Sequence, residues 1–131
     1  MIDSSARAAG TLSDVKVEIW SDVVCPWCYI GKRRLESALQ QFEHADAVEV
    51  TWRSFELDPG APRRREGDLV ERLARKYGMT RAQAAAAQAR LTQTGAEAGL
   101  EFHFDRARPG NTLDAHRLLH LAGERDLQLQ G

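Results

Sequence analysis

The sequence is poor in cysteine and in long apolar runs, and each of these two shortages excludes a class of protein. Its 131 residues include two cysteines and four prolines. Two cysteines are too few for a secreted fold held together by disulfides. No stretch approaches the roughly 18 consecutive apolar residues of a membrane span. Charge of one sign is not in excess either, because 18 basic residues accompany 19 acidic ones. That balance gives no electrostatic footprint for nucleic acid or for an anionic membrane surface.

The amino terminus also lacks a recognisable targeting signal. Residues 1–14 contain no apolar central run of the kind that a secretory signal needs. We therefore expect a disordered leader over residues 1–14 and a cytoplasmic protein. The chain length suits one domain.

The two cysteines lie in the run Cys25-Pro-Trp-Cys28, between two different hydrophobic periods. Residues 15–20 alternate apolar and polar side chains and run into Ser21-Asp22-Val23-Val24 before the cysteines, which predicts a β-strand. From Ile30 onwards apolar residues recur every three to five positions, which predicts a helix. Pro26 fits the first turn of that helix, because its missing N–H has no intrahelical partner there.

A second alternating segment, residues 48–55, predicts a strand parallel to the first, since a helix connects the two. Trp20 and Trp52 are predicted to be core aromatics of these strands. Most of the remaining chain has helical patterning, with Asn111 or Thr112 capping the last helix. We therefore expect an α/β fold with a βαβ start over residues 15–58, followed by an all-helical segment over the following residues, 59–131.

The position of the cysteines predicts dithiol chemistry. Thiol–disulfide exchange proceeds through a thiolate, and unpaired N–H groups at a helix N-terminus lower the pKa of a cysteine placed there. Cys25 is therefore predicted to be the attacking thiol, and Cys28 the resolving thiol that releases a mixed disulfide. Pro26 stiffens the turn, and Trp27 offers a flat apolar surface to an unfolded substrate.

Two other interpretations of the cysteines remain open from the residues alone. They can be inert core residues, or half of a zinc site completed by histidines. None of the four histidines has tight ligand spacing to the pair, so we predict no metal site; they are His44, His103, His116 and His120. Asp22 and Glu18 are candidates for an electrostatic influence on the pair, with a buried carboxylate as a proton acceptor near the resolving thiol.

The run VEIWSDVVCPWCYIGKRRLE resembles the active-site segment of the DsbA-like thioredoxin superfamily. In particular it is similar to the FrnE-type oxidoreductases, which are related to 2-hydroxychromene-2-carboxylate isomerases and kappa-class glutathione transferases. Further matches are WRSFELDP from Trp52 and NTLDAHR from Asn111. The resemblance implies a thioredoxin core with a helical insertion, and redox cysteines at Cys25 and Cys28. It also implies that residues 111–117 pack against the active-site face, where Asn111 is a helix cap or a substrate contact beside Pro26 and Trp27.

The resemblance also implies strands that this sequence does not contain. Members of the family are longer, and a cis-proline precedes one of their later strands and lies against the active-site sulfur. No proline here follows the helical segment and precedes a strand. We therefore expect a chain truncated before the C-terminal strands, with a homodimer as one way to cover the exposed sheet edges.

Three functions follow from these observations. The first is a thiol–disulfide oxidoreductase or disulfide isomerase that acts on protein or small-molecule thiols and disulfides, without a bound cofactor and with glutathione as a candidate redox partner. The second is a glutathione-dependent isomerase or transferase of the related branch. The third is a non-catalytic fragment, or a module that acts only after pairing with another polypeptide.

Overall fold

Two parallel strands joined by a helix open the structure. The computed structural model describes residues 14–130, so all of the predicted leader except its last residue lies outside the described residues. Strand β1 is Val15–Ser21 and strand β2 is Val48–Ser54. They pair in parallel, with Val15 opposite Val48 at one end and Ser21 opposite Ser54 at the other. Helix α1, Pro26–Gln41, makes the crossover between them.

Within the described residues three more helices follow the sheet: α2 is Leu69–Tyr77, α3 is Arg81–Glu97 and α4 is Leu113–Gly123. Short 3-10 turns occupy Ala45–Ala47, Phe104–Arg106 and Gln128–Gln130. The predicted α/β class, a βαβ start followed by helices, is confirmed. The domain boundary after residue 58 stays a prediction.

Local capping explains where α2 and α3 begin and end. The Asp68 side chain accepts a hydrogen bond from the N–H of Val70 and starts α2. Gly78 ends that helix with a φ of 62°, a left-handed conformation that glycine adopts without steric penalty. Thr80 and Gln83 then form a reciprocal capping box at the start of α3.

Just before α4, the backbone makes a close contact with the loop that follows β2. Two hydrogen bonds of 2.9 Å, each from a backbone N–H to a carbonyl oxygen, join segment 62–65 to segment 109–111. A Cβ added at Gly110 would lie 2.2 Å from the carbonyl oxygen of Arg63, so only glycine fits there. This contact fixes the start of α4 beside the loop that follows β2.

The buried apolar residues lie where α1 meets the helical segment. Ile30 of α1 is 1% exposed and Ala84 of α3 is fully buried, with Ala74 and Leu100 close to that level. The prediction that Trp20 is a core aromatic is wrong: it is 59% exposed, because it shares the open face of β1 with Lys16 and Glu18. Trp52 is half-buried. None of the helices in residues 14–130 is long and apolar enough to cross a bilayer.

Candidate active site

The two cysteines lie where β1 turns into α1. Asp22 follows the last residue of β1, and its carbonyl oxygen accepts a 3.2 Å hydrogen bond from the N–H of Cys25. That turn places Cys25 at the N-cap of α1, with extended backbone angles, and Pro26 at the first helical positions. Both features agree with the strand–turn–helix junction that the sequence predicts.

The sulfur atoms have different backbone and side-chain partners. Cys25 Sγ accepts a 3.3 Å hydrogen bond from the N–H of Cys28 and a further one from the N–H of Trp27. Cys28 Sγ faces the end of β1, where the N–H of Asp22 and the hydroxyl of Ser21 donate to it. Both cysteines are free thiols and half-buried. One sulfur therefore caps the helix, and the other is held by the strand.

A hydrogen bond between the two sulfurs couples the ionisation of Cys25 and Cys28. Burial raises the pKa of the Cys25 thiol, and its hydrogen bond to Cys28 raises that pKa further. Burial also acts against ionisation of Cys28. Its pKa is nevertheless lowered, because the N–H of Asp22, the Cys25 thiol and the Ser21 hydroxyl donate to its sulfur. The hydrogen bond between the two sulfurs favours one thiolate shared by the reduced pair. The roles of Cys25 as attacking thiol and Cys28 as resolving thiol stay predictions.

Asp22 is a buried carboxylate with its own set of donors. The N–H of Leu57 donates to Oδ2 at 2.9 Å, and Oδ1 lies 2.9 Å from Nε2 of His116. The Thr112 side chain donates as well. Burial alone would raise the pKa of Asp22, but these hydrogen bonds outweigh burial and hold the pKa below its usual range. Of the two carboxylates considered from sequence, Glu18 instead pairs with Arg53 on the exposed face.

The two histidines of α4 have separate surroundings. His116 is 4% exposed, and its Nδ1 is buried with no hydrogen-bond partner among the described residues. His120 is exposed, and its Nε2 lies 3.0 Å from Oγ of Ser54. Both line an open cleft of ≈ 660 Å³ between α4 and the segment after β2. Within residues 14–130 no group of three or more histidine, cysteine, aspartate or glutamate side chains is arranged to hold a metal ion.

Exposed apolar residues flank Cys25 in the chain, and we call Val23, Val24 and Trp27 the apolar rim. Trp27 is 57% exposed, and Val23 and Val24, which precede Cys25, are exposed too. Pro26 beside them is half-buried. Large apolar side chains held in solvent beside a reactive sulfur suit contact with an extended peptide. The substrate-binding roles of Pro26 and Trp27 stay predictions.

Asn111 uses its polar atoms inside the chain. Its Nδ2 donates to the carbonyl oxygens of Pro59 and Ala61, each at 3.2 Å. Its Oδ1 accepts from the N–H of Leu113 at 2.9 Å, which caps α4 from one residue outside the N-cap Thr112. The capping role predicted for Asn111 is confirmed. The role of Asn111 as a substrate contact stays a prediction.

Sequence reasoning missed the contact of Thr112 and His116 with Asp22. A signal was present, because Thr112 and His116 are four residues apart and so share one face of a helix. The resemblance implied that residues 111–117 pack against the active-site face, but nothing in the sequence indicated that His116 pairs with Asp22, 94 residues away in the chain.

Both the sequence and the structure are similar to those of known proteins. The family described as DSBA-like thioredoxin domain matches residues 16–131. A crystal structure of a probable DsbA oxidoreductase from Streptomyces coelicolor superimposes with a TM-score of 0.80 at 49% identity, over 86% of this chain and 48% of that one. The uncharacterized protein YwbO of Bacillus subtilis is 42% identical over 45 residues, which are 34% of this chain and 20% of that protein. The chain thus matches about half the length of the solved structure and about a fifth of the curated relative.

Proposed function

Because the chain belongs to the DSBA-like thioredoxin domain family, we propose that it exchanges disulfides with thiol substrates through Cys25 and Cys28. The observation that carries this proposal is the N-cap geometry of Cys25, whose sulfur accepts the N–H of Cys28 at the start of α1. Partly exposed thiols with nearby donors are the ones that exchange, whereas structural buried cysteines are inert.

The reaction runs through a mixed disulfide at Cys25. A substrate thiolate attacks Cys25 Sγ, the Cys25–Cys28 bond breaks, and Cys28 leaves with the electron pair. A second substrate thiolate then attacks the substrate sulfur, which releases Cys25 as a thiol. The substrate loses two electrons and two protons, and the enzyme disulfide gains them. In the opposite direction Cys25 attacks a substrate disulfide, and Cys28 resolves the intermediate.

The lowered pKa of Cys28 favours this division of roles. A thiol of lower pKa is the better leaving group in exchange, and the donors from Ser21 and Asp22 stabilise the Cys28 thiolate as it departs. Cys25 lies beside the apolar rim of Val23, Val24 and Trp27, where a peptide substrate can approach.

The expected substrates are protein or small-molecule dithiols and disulfides. Glutathione disulfide would reoxidise the enzyme after it oxidises a dithiol, and two molecules of reduced glutathione would reduce it after it reduces a disulfide. We place the chain in the FrnE-type branch on the CPWC, WRSFELDP and NTLDAHR motifs. A cytoplasmic location and a homodimer stay predictions.

Turnover of the purified chain tests the proposal. Reduction of insulin disulfides in the presence of glutathione is expected to exceed the glutathione background, and Cys25→Ser is expected to return it to that background. Cys25→Ser turnover equal to that of the parent would contradict the mechanism. Glutathione binding without dithiol turnover would instead support the glutathione-dependent isomerase.

A further inference from the structure

Asp22 and His116 form a buried acid–base pair that joins the helical segment to the dithiol. Their side chains are 1% and 5% exposed, and Oδ1 and Nε2 are 2.9 Å apart. A buried polar side chain is stable only when it is hydrogen-bonded. His116 on Oδ1, together with the N–H of Leu57 on Oδ2, therefore fixes where the Asp22 carboxylate lies.

Asp22 in turn acts on both cysteines. Its carbonyl oxygen holds the N–H of Cys25 at 3.2 Å. Its N–H donates to Cys28 Sγ and stabilises a thiolate there, whereas the negative charge of its carboxylate disfavours that thiolate. The orientation of one residue thus decides which of two opposite effects reaches Cys28.

We propose that His116 is a positioning residue of the dithiol. Its Nε2–H holds the Asp22 carboxylate toward α4, so that the backbone N–H of Asp22, and not its charge, dominates at the Cys28 sulfur. This inference rests on the proposed function, because it assigns His116 a part in setting the reactivity of the same two thiols.

The unpaired Nδ1 of His116 supports the direction of this hydrogen bond. An unpaired acceptor is tolerated in a protein interior better than an unpaired N–H. The ring is therefore best placed with its proton on Nε2, where it donates to Asp22. The two cysteines are also titratable groups near the pair. Four further charged or titratable residues line the cleft together with His116: Glu56 from the segment after β2, and Arg117, His120 and Glu124 of α4.

Two polar substitutions of different length separate positioning from structure. In His116→Gln the amide nitrogen can reach the place of Nε2, whereas in His116→Asn it is too short to do so. His120→Gln is the matched control, because His120 is on the same helix but contacts Ser54. The readout is the apparent pKa of the thiols, measured from thiolate absorbance and from the pH dependence of alkylation of each cysteine.

His116→Asn is expected to raise the first apparent thiol pKa by about one unit, because the carboxylate charge is then no longer held toward α4. His116→Gln and His120→Gln are expected to keep the parent value. Asp22→Asn is expected to lower the pKa, since it removes the charge and keeps the backbone N–H. The double variant Asp22→Asn with His116→Asn is expected to match Asp22→Asn alone.

Several results would overturn the inference: an unchanged thiol pKa in folded His116→Asn, an equal shift in His116→Gln, or a further shift in the double variant. If His116→Asn does not fold, Asp22→Asn decides, and an unchanged or raised pKa there contradicts the inference. These measurements need no turnover. A parent chain without turnover contradicts the proposed function, while the comparison of thiol pKa values still tests the role of His116.

Discussion

The strand–helix–strand segment and the helical segment differ in what they contribute to the candidate site. The first carries both thiols within four residues, and its contacts there are local: Cys28 donates to a sulfur three positions earlier. The second carries no cysteine, but it supplies His116 and Thr112 to the buried Asp22. The reactive groups are thus encoded locally, and their electrostatic environment comes from a distant part of the chain.

The largest expected effect tests whether the helical segment depends on this contact. His116→Ala is expected to lower the free energy of unfolding by about 3–4 kcal/mol, because it leaves the buried carboxylate of Asp22 without one of its donors. His120→Ala on the exposed side of the same helix is expected to change it by less than about 0.5 kcal/mol. Urea denaturation measures both. Equal losses would show that the two histidines contribute equally to stability, and would contradict a special role for the contact between His116 and Asp22.

A somewhat smaller effect is expected in the core between the two segments. Ile30 of α1 is 1% exposed, so Ile30→Ala is expected to destabilise the fold by about 2–3 kcal/mol through lost burial and the cavity that remains. Leu118→Ala removes a side chain that is 66% exposed and is the control. Thermal or urea unfolding measures both variants. Equal stabilities would contradict the burial of Ile30 where α1 meets the helical segment.

The same substitution at two helix glycines is expected to act in opposite directions. A Cβ at Gly95 of α3 would lie 2.5 Å from the ring of Phe102, whereas one at Gly31 of α1 has nothing within 4 Å. Gly95→Ala is therefore expected to destabilise by about 1–2 kcal/mol through overpacking. Gly31→Ala is expected to stabilise by about 0.5–1 kcal/mol, since alanine has the higher helix propensity. Melting temperatures of both variants test the difference, and shifts of the same sign would contradict it.

The smallest expected effect is on how the stability of the fold falls at acid pH. The pKa of folded Asp22 lies below its unfolded value of about 3.9, so the unfolded state binds the proton first. The stabilisation is complete above that pH and is lost as the pH falls through the folded pKa. Asp22→Asn is expected to remove this part of the acid sensitivity, whereas Asp114→Asn, at an exposed carboxylate, is not. Urea midpoints from about pH 5 down to about pH 2 measure it. Parallel curves for parent and Asp22→Asn would contradict the assignment.

Much of the fold could be predicted from sequence because its signals are local. Alternation over residues 15–21 predicted β1, and the change of period after Cys28 predicted α1. The capping box of Thr80 and Gln83 and the left-handed Gly78 likewise depend on residue type and short spacing. Each of these features depends on neighbours within about four positions, where the geometry of a helix or strand is fixed in advance.

The environment of the thiols could not be predicted in the same way. The low pKa expected at Cys25 followed from its place at a helix N-terminus, whereas burial and the hydrogen bond to Cys28 act against it. The exposure of Trp20 depends on which sheet face is covered, which alternation does not indicate. The contact between Asp22 and His116 arises only when distant segments pack together.

Trapping of the mixed disulfide tests the central claim most directly. Cys28→Ser, which has no resolving thiol, is incubated with an excess of a disulfide-containing peptide, and the products are analysed by mass spectrometry without reductant. A stable adduct on Cys25 is expected, with none on Cys28 in the matched Cys25→Ser variant under the same conditions. Adduct formation at Cys28, or none at either cysteine, would contradict exchange through Cys25.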